Sequence, residues 1–492
     1  MSLKSIGARL LANRECSKID GWAKNPRQAQ DKTFQFLLKT LRETAFGKDH
    51  NAAQIHSYED FKNAIKLNDY ENLRPYVERV KAGESDVLWT GKPMYFCKTS
   101  GTTSGTKYIP MTQLGIEAQL RAARSSLLCY IRESGNSRFT NGKMIFLQGN
   151  PEMEKQNGIA VGRLSGIVAH HVPSYLQKNR MPSWETNCMD DWEKKIDAIV
   201  DETMHADMRL ISGIPPWVQM YFERLIAKTG KKNILEIFPN FSVFAQGGVN
   251  YEPYRGVMEK LIGGKVDTIE TYPASEGFIA YQDSQTEPGL LLNLDAGIFY
   301  EFVPADEFHS ENPTRLQLSE VELGVNYAIV LNTSSGLWGY IIGDTVKFVS
   351  KTPYRIVVSG RIKHFISAFG EHVIAEEVEK AITQVAEQFG VMVQEFHVAP
   401  QVSPSQGLPY HEWFVESDDA MPNGFEFALD NAMQVQNSYY KDLITGSVLR
   451  PLKVTVLPRG SFNKYMDSIG KLGGQNKLPR LSNDRAIADK LV

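Results

Sequence analysis

The stretch CKTSGTTSGTKYIPMT, residues 97–112, determines how the rest of this sequence is interpreted. It combines glycines, several hydroxyl side chains and one lysine, a composition typical of phosphate-binding loops. A Walker A loop requires G-x-x-x-x-G-K-[ST] followed directly by a helix, whose first amides complete the phosphate site. Here Thr106 separates Gly105 from Lys107, and the Tyr-Ile-Pro that follows favours an extended strand. The stretch is therefore not a Walker A loop.

The same residues predict two strands joined by a turn. We expect a strand over 94–98, a turn over 99–107 and a second strand over 108–111, with a helix beginning only after Thr112. Backbone N–H groups and hydroxyls in such a turn can bind an anion, and Lys107 adds a positive charge. The alternative is a hydroxyl-rich surface hairpin without a ligand. The composition favours anion binding over this alternative.

Length and composition limit the class of protein. The chain has 492 residues, more than one hydrophobic core usually supports, so two or more domains are expected. The apolar content of 42% and charged content of 23% are ordinary for globular proteins. A formal net charge of -3 gives no electrostatic support for nucleic acid or an anionic membrane as a partner. No run approaches the roughly 18 apolar residues of a transmembrane helix, so no membrane span is predicted.

The cysteines and the N-terminus indicate a cytoplasmic protein. The four cysteines are scattered without CxxC pairing, which is typical of reduced thiols rather than of a disulfide scaffold or a zinc site. They are Cys16, Cys97, Cys129 and Cys188. The N-terminal MSLKSIGARLLANREC has charges on both sides of a short apolar patch, so it predicts an amphipathic helix rather than a signal peptide.

The pattern of apolar residues divides the first 360 residues into three regions of different predicted secondary structure. The beginning of the chain is mostly helical, and in the helical pattern over 31–47 we expect Gly47 to end the helix. From about Lys143, strands alternate with helices, which indicates a mainly parallel α/β sheet. From 289 to 358 strands dominate and predict a smaller mixed or antiparallel sheet, appended to the α/β core.

The C-terminal region predicts a separate small domain. A helix over 372–390, two strands, a long helix over about 424–443 and a last strand would form a compact α+β unit. The predicted fold class is therefore α/β, with a large N-terminal α/β domain that carries the β-rich subdomain and a small mobile C-terminal α+β domain. We expect these domains to span 1–360 and 361–492, with a hinge at about 360–363.

The turn sequence resembles that of a known enzyme superfamily. Ser-Gly-Thr-Thr-x-Gly-x-x-x-x-Pro is similar to the phosphate loop of adenylate-forming enzymes, which include acyl-CoA ligases, luciferase and peptide-synthetase adenylation domains. The form SGTTSGTKYIPMT most resembles the Gretchen Hagen family of acyl acid–amido synthetases, an auxin-responsive group with many bacterial relatives, and we expect a bacterial member. The resemblance implies that Lys107 assists catalysis. It also implies ATP binding by the turn residues Ser100, Gly101, Thr102, Thr103 and Gly105.

The stretch TYPASEGF, residues 271–278, carries the resemblance further. It matches the superfamily pattern Tyr-x-x-[Ser/Thr]-Glu. The resemblance implies that Tyr272 lies against adenine, Ser275 meets the phosphate and Glu276 helps to hold Mg²⁺. An aromatic face suits a purine, and carboxylate oxygen suits a hard cation. Without the family, the same residues are a strand end and a turn with a surface acid.

Two more matches lie at 339–348, GYIIGDTVKF, and at 357–365, VVSGRIKHF. The resemblance implies that Asp344 accepts both ribose hydroxyls, a role that suits an acceptor with two oxygens. It places Arg361 near the nucleotide and Lys363 at the pivot of an interdomain hinge. Without the family, the first match is a turn and the second is an ordinary linker, although a hinge is also a linker.

The last match is GKLGGQNKLPRL, residues 470–481, which resembles the closing stretch of the family. It implies that Lys477 is the catalytic lysine of the C-terminal domain, with Lys471 as the alternative. The stretch AQGGVNYEPY, residues 245–254, also looks like the family, so the resemblance covers nearly the whole chain.

The resemblance implies a two-step reaction that uses ATP and Mg²⁺. A carboxylate attacks the α-phosphate and releases pyrophosphate, and the amine of an amino acid then attacks the acyl-adenylate to give an amide and AMP. Arg121 or Arg124 could meet the acid, although exposure to solvent is the alternative role for both. Two other functions stay open: an acyl-CoA ligase with the same first step, and a catalytically silent protein that binds nucleotide or acyl acid. The sequence identifies neither the acid, nor the amine, nor the oligomeric state.

Overall fold

The computed structural model describes residues 3–100, 106–173, 177–248, 251–308, 310–362, 365–366, 373–402, 404–445, 448–472, 478–482 and 484–492. The helices before the last domain are α1 Leu3–Lys24, α2 Pro26–Leu41, α3 Ala45–Asp49, α4 Tyr58–Ala64, α5 Tyr70–Lys81, α6 Gln113–Ser134, α7 Leu164–His170, α8 Trp184–Asn187, α9 Trp192–Thr203, α10 Pro215–Thr229, α11 Ile234–Ile237 and α12 Glu252–Ile262. They are followed by α13 Ala375–Phe389, α14 Phe425–Gln436, α15 Ser438–Thr445 and α16 Ser461–Ser468. None of these helices has both the length and the apolarity needed to span a membrane.

The strands of the first 300 residues are β1 Tyr95–Ser100, β2 Thr106–Met111, β3 Lys143–Phe146, β4 Glu154–Gln156, β5 Ile159–Gly162, β6 Arg180–Met181, β7 Met208–Gly213, β8 Val243–Gly247, β9 Asp267–Ala274, β10 Gly277–Tyr281 and β11 Leu290–Leu292. The later strands are β12 Ile298–Pro304, β13 Leu316–Gln317, β14 Asn326–Thr333, β15 Tyr340–Lys351, β16 Tyr354–Arg361, β17 Phe365–Ile366, β18 Val373–Ile374, β19 Glu395–Gln401, β20 Tyr410–Glu416 and β21 Lys453–Leu457. The fold is α/β, as the sequence predicts.

Twelve strands form one sheet in the order β13-β12-β14-β15-β16-β11-β10-β9-β8-β7-β3-β6. The strands β6, β3, β7, β8 and β9 pair in parallel, which confirms the prediction from the alternation of strands and helices. The β-rich region over 289–358 is present, as predicted, but its antiparallel strands do not form a separate second sheet. β10 turns back against β9, and β11 pairs with both β10 and β16, so the antiparallel strands continue the parallel sheet.

Gly47 does not end a helix, contrary to the sequence prediction. α2 ends at Leu41, and Gly47 lies inside the short helix α3, where its N–H donates to the Thr44 hydroxyl at 3.0 Å. A Cβ at residue 47 would overlap the carbonyl oxygen of Leu41. Glycine is therefore present because two backbone segments approach each other closely, and not because a helix stops there.

The C-terminal region has its own sheet, in the order β19-β20-β21. β19 and β20 pair antiparallel, and β20 and β21 pair parallel. The predicted long helix is divided into α14 and α15 at Asn437. The side chain of Asn437 accepts the N–H of Tyr440 at 2.7 Å and donates to Glu377 at 3.0 Å, so it caps a new helix instead of continuing the first.

The chain divides into two compact units. The first unit comprises Met1–Val249, Ile262–Ile342 and Val346–Val357, and the second unit comprises Asn250–Leu261, Gly343–Thr345 and Val358–Val492. The second unit thus includes nearly all of α12 and three residues of β15, besides everything after residue 358. The predicted domain ranges and the hinge at 360–363 stay predictions.

Candidate active site

The predicted phosphate turn joins two paired strands of the first unit. β1 and β2 pair antiparallel as far as Ser100 opposite Thr106, in a sheet of order β2-β1-β5-β4. The strands are longer than the sequence predicts, so Lys107 lies within β2, opposite Thr99, and not in the turn. Of the predicted phosphate-binding residues, Gly101, Thr102, Thr103 and Gly105 lie outside the described residues.

Helix α6 begins where the sequence places it, after the second strand. The Thr112 hydroxyl accepts the N–H of Gly115 at 3.1 Å and donates to the carbonyl of Ser334 at 2.8 Å. Thr112 is therefore the N-cap of α6 and also fastens the helix start to the end of β14. Because all of β2 separates the turn from α6, the Walker A arrangement is excluded.

Tyr70 holds the edge strand on which Lys107 lies. The Tyr70 hydroxyl accepts the N–H of Tyr108 at 2.9 Å, and the Lys107 ammonium lies 5.8 Å from the centre of the Tyr70 ring. A cation over an aromatic face at about 6 Å is attracted by the ring. Burial raises the pKa of Tyr70, so its hydroxyl stays neutral in the physiological range. Helix α5 thus fixes both the strand and the lysine.

The residues Tyr272, Ser275 and Glu276 lie where two strands of the large sheet meet. Tyr272 is in β9 and is buried. Ser275 and Glu276 form the two-residue connection between β9 and β10, because Ala274 pairs with Gly277. The connection follows the last strand of the parallel part, and ligands of α/β sheets bind beyond such strand ends.

The structure brings the Glu276 turn close to the hairpin of the phosphate turn. Burial raises the pKa of the Cys97 thiol, in β1, and the negative charge of Glu276 adds to this effect. The amide of Gln119, in α6, donates to the carbonyl of Ala274 at 2.7 Å and so holds the end of β9. The Glu276 turn and β1 are therefore near enough for their charges to interact, and α6 contacts the end of β9 directly.

Asp344 and Arg361 form an ion pair in the second unit. The distance from Arg361 Nε to Asp344 Oδ1 is 2.7 Å, and the Asp344 side chain is largely buried, whereas that of Arg361 is half exposed. Asp344 lies seven residues before the end of β15 at Lys351, and Arg361 lies seven residues after the start of β16 at Tyr354. The two side chains are thus cross-strand neighbours, which the sequence motifs do not reveal.

The predicted C-terminal lysine and the hinge lysine, Lys477 and Lys363, lie outside the described residues. Lys471 is exposed, and its backbone N–H donates to the carbonyl of Met466 at 2.8 Å. The assignment of the catalytic lysine to Lys477, with Lys471 as the alternative, stays a prediction.

The two arginines of α6 are both exposed, which agrees with the alternative role that the sequence allowed. Arg121 lies 3.7 Å from the carboxylate of Asp295, and Arg124 is on the solvent side of the helix. Sequence reasoning missed Tyr70 and Gln119, which position the candidate residues. Neither could be found from a motif, because each acts on a backbone group distant in sequence.

An antiparallel hairpin, a Tyr-x-x-Ser-Glu turn beyond parallel strands and a separate C-terminal α+β region together define the fold of an adenylate-forming enzyme. The structure is similar to the solved structure of AtGH3.15 acyl acid amido synthetase in complex with 2,4-DB, with a TM-score of 0.80 at 17% identity over 98% of this chain and 95% of that chain. It is also similar to 2-hydroxyisobutyryl-CoA ligase in the postadenylation state, with a TM-score of 0.59 at 14% identity over 96% of this chain and 91% of that chain.

The chain belongs to the GH3 family. The GH3 family N-terminal domain matches residues 15–187, the central domain matches 291–361 and the C-terminal domain matches 376–486, together well over half of the chain. This confirms the resemblance seen in the motifs.

Two named relatives are similar over almost their full lengths. The jasmonoyl–L-amino acid synthetase JAR4 of Nicotiana attenuata is 22% identical over 93% of this chain and 91% of its own. The indole-3-acetic acid-amido synthetase GH3.15 of Arabidopsis thaliana is 23% identical over 96% of this chain and 93% of its own. The expected bacterial origin stays a prediction.

Proposed function

We propose that the protein is an ATP-dependent acyl acid–amido synthetase, which activates a carboxylic acid as an acyl-adenylate and transfers the acyl group to the amine of an amino acid. The observation that best supports this proposal is the proximity of the Glu276 turn to β1, next to the glycine-rich turn, in a chain of the GH3 family. One of the named relatives is a jasmonoyl–L-amino acid synthetase and the other is an indole-3-acetic acid-amido synthetase, which supports the same type of reaction here.

In the first step, the turn after β1 would bind the phosphates of ATP. Backbone amides and hydroxyls of such a turn stabilise the charge that develops on the phosphate, and Lys107 adds a cation already held by Tyr70. Tyr272 would lie against the adenine and Ser275 against the phosphate. The phosphate-binding residues would be Ser100, Gly101, Thr102, Thr103 and Gly105.

Glu276 is the residue that would hold Mg²⁺. Mg²⁺ usually keeps several waters and binds one or two carboxylates together with substrate phosphates. A single carboxylate on a short turn beside the hairpin fits this type of site, and within the described residues there is no cluster of three or more His, Cys, Asp and Glu for a protein-only cage. When bound, the ion would neutralise phosphate charge.

Asp344 would accept the ribose hydroxyls, and Arg361 would orient it. The charge-assisted bond at 2.7 Å fixes the position of one carboxylate oxygen of Asp344. Arg361 therefore supports the nucleotide site through Asp344 as well as by its own charge.

The second step would need access for the amine after pyrophosphate leaves. We propose that the region 361–492 moves relative to 1–360 about Lys363, so that Lys477 serves adenylation and then withdraws. The amine must be neutral to attack, and an α-amino group has a pKa of about 8. Four free thiols fit a cytoplasmic location for this chemistry.

A panel of carboxylic acids tests the proposal. With ATP, Mg²⁺ and hydroxylamine, one acid class should yield hydroxamate and pyrophosphate together, and amino acids should replace hydroxylamine. Signal with CoA but not with amino acids would instead establish the acyl-CoA ligase, whose fold is also similar. ATP binding without turnover of any acid would favour the silent binding protein.

The variant Glu276→Gln should lower adenylation by a factor of about 100–1,000, as loss of one transition-state stabiliser does. The acid-dependent exchange of pyrophosphate into ATP measures this step. Glu287→Gln, a change of the same type at an exposed glutamate, is the control and should behave like the wild type. Normal exchange in Glu276→Gln would refute the role of this carboxylate.

A further inference from the structure

Three segments of the second unit meet at the side chain of Arg480. Its Nη1 donates to Glu379, in α13, at 2.8 Å, and its Nε donates to Glu395, in β19, at 3.0 Å. The hydroxyl of Tyr254, in α12, donates to the other oxygen of Glu395 at 2.8 Å. The guanidinium also lies 5.4 Å from the centre of the Tyr254 ring and 5.0 Å from that of Phe396. Glu395 is thus shared by a phenol and a cation.

This cluster is buried, so its bonds are not those of an ordinary surface ion pair. Tyr254 is 5% exposed and the side chain of Arg480 is 10% exposed. Burial acts to lower the pKa of Arg480, but the carboxylates of Glu395 and Glu379 outweigh it and hold the pKa well above its usual value. Burial and the charge of Glu395 raise the pKa of Tyr254. The tyrosine therefore stays a hydrogen-bond donor and the arginine stays charged.

The cluster fixes the chain on the C-terminal side of the predicted lysine. The carbonyl of Arg480 accepts the N–H of Val398 at 2.8 Å, and the N–H of Ser482 donates to the carbonyl of Val398 at 3.0 Å. Residues 480–482 therefore run beside β19, and Arg480 follows Lys477 by three positions in the sequence. These contacts hold the segment 480–482, which closely follows Lys477 in the sequence.

Tyr254 reaches the cluster from a different part of the chain. Helix α12 belongs to the second unit by its contacts, yet it is connected to β8 on one side and to β9 on the other, both strands of the twelve-stranded sheet. If the region 361–492 moves during the reaction, α12 cannot travel with it freely, because both of its ends are attached to the sheet. A movement of Glu395 relative to α12 would break its bond to Tyr254.

We propose that Tyr254, Glu395 and Arg480 form a latch that fastens the segment after Lys477 to α12 while the acyl-adenylate forms, and that releases for amide formation. Tyr254 and Arg480 are positioning residues in this proposal, since they act through Lys477. The proposal rests on the proposed function, because it assigns Lys477 to the first step.

The test compares two Tyr→Phe variants. Tyr254→Phe removes the hydroxyl and keeps the ring against Arg480. Tyr58→Phe is the matched control, because the Tyr58 hydroxyl donates to the buried Glu301 at 2.8 Å in the first unit, and Glu301 also binds an arginine. Acid-dependent pyrophosphate exchange measures adenylation. Amide formation from supplied acyl-adenylate and amino acid measures the second step alone.

Tyr254→Phe should lower the maximal rate of pyrophosphate exchange about tenfold, without change in the KM for the acid, because a hydrogen bond to a charged group is lost. Amide formation from supplied acyl-adenylate should be unchanged, and Tyr58→Phe should leave the ratio of the two rates at the wild-type value. An equal loss in both steps, an unchanged ratio, or the same change of ratio in Tyr58→Phe would overturn the latch.

Hydrogen exchange of backbone amides tests the latch independently of the proposed catalytic activity. In Tyr254→Phe, the backbone amides of 252–262 and of 478–482 should exchange faster together, whereas in Tyr58→Phe they should not. If the wild type shows no acid-dependent exchange with any acid, the proposed function fails, and the amides alone decide whether the contact fastens the two segments. Unchanged protection in Tyr254→Phe would then overturn the latch.

Discussion

Among the residues that the structure describes, two buried networks each have a tyrosine and an arginine that share one glutamate, one network in each unit. The first network is Tyr58, Glu301 and Arg315, and the second network is Tyr254, Glu395 and Arg480. The two networks contain the same three residue types, but their arginines are hydrogen-bonded to different numbers of glutamates. Because the residue types are the same, a difference in behaviour between the two networks must come from their hydrogen-bond partners and from their positions in the chain.

In the first network, one arginine pairs with one glutamate. Arg315 binds both oxygens of Glu301, at 2.9 and 2.8 Å, and Glu301 is fully buried. Asn332 donates to the same carboxylate at 2.8 Å. All of these residues belong to the first unit, so no motion of the second unit can break the network.

In the second network, the arginine divides its bonds between two glutamates. Loss of either glutamate leaves Arg480 with one carboxylate, and loss of the Tyr254 contact leaves both ion pairs intact. Such a network can release one segment and keep the others. The difference indicates a fixed structural contact in the first unit and a releasable one in the second.

The largest expected effect is on the first network. Glu301→Gln leaves the Arg315 cation buried without its carboxylate, and breaking a buried pair in this way costs about 3–5 kcal/mol of stability. Urea unfolding measures the loss. Glu71→Gln is the control, because Glu71 pairs with Arg74 at the surface, where the two side chains are 44% and 38% exposed, and such pairs contribute at most about 1 kcal/mol. An equal, small loss in both variants would show that the first network is not a structural contact.

A smaller loss is expected for Glu395→Gln. Arg480 keeps its bond to Glu379, so the loss should be about 1–3 kcal/mol, the range of hydrogen bonds to charged groups and of unsatisfied partners. The same unfolding measurement applies. If Glu395→Gln and Glu301→Gln lower the free energy of unfolding equally, the second carboxylate of Arg480 does not protect the second network as proposed.

The smallest effect concerns a cation that is held by a carbonyl. Lys195 is buried and donates to the carbonyl of Asn187 at 2.6 Å, and burial lowers its pKa from 10.5 to about 8. The folded protein thus loses the proton at lower pH than the unfolded chain. The stability penalty is complete below about pH 8 and is relieved as pH rises towards 10.5.

Lys195→Met should therefore be more stable than the wild type at pH 7, by about 1 kcal/mol after the lost hydrogen bond is counted. The advantage should vanish as pH rises from 8 to 10, which urea unfolding at several pH values will show. A constant difference across this range would contradict the lowered pKa. The result extends the comparison, because Arg315 and Arg480 pair with carboxylates, whereas Lys195 donates to a neutral carbonyl.

The elements that the sequence predicted best are those with local signals. The parallel strands, the helix after Thr112 and the helix ending at Gly390 follow from periodicity and caps, and the structure has all of them. Gly47 misled the prediction because a close approach of two segments also requires glycine. The continuous sheet was missed because the apolar pattern of a strand does not show which other strands it pairs with.

In the candidate site, too, features with a local sequence signal were predicted, and contacts between distant segments were not. The motifs located Tyr272, Ser275, Glu276 and Asp344 in the sequence, and the local structure around each is a strand or a turn, as expected. The pairing of Asp344 with Arg361 was not predicted. Nor was the second network, since its three members come from segments that only the folded chain brings together.

The two-residue connection between β9 and β10 also bears on how this family can diverge. Ala274 pairs with Gly277, so an inserted residue would shift one strand by one position and exchange the faces of its side chains. A side chain at Gly277 would already meet Ile298 at 2.5 Å. Relatives at 22% and 23% identity have changed most of their residues. Insertions and deletions among them should nevertheless spare this connection and accumulate in the longer loops.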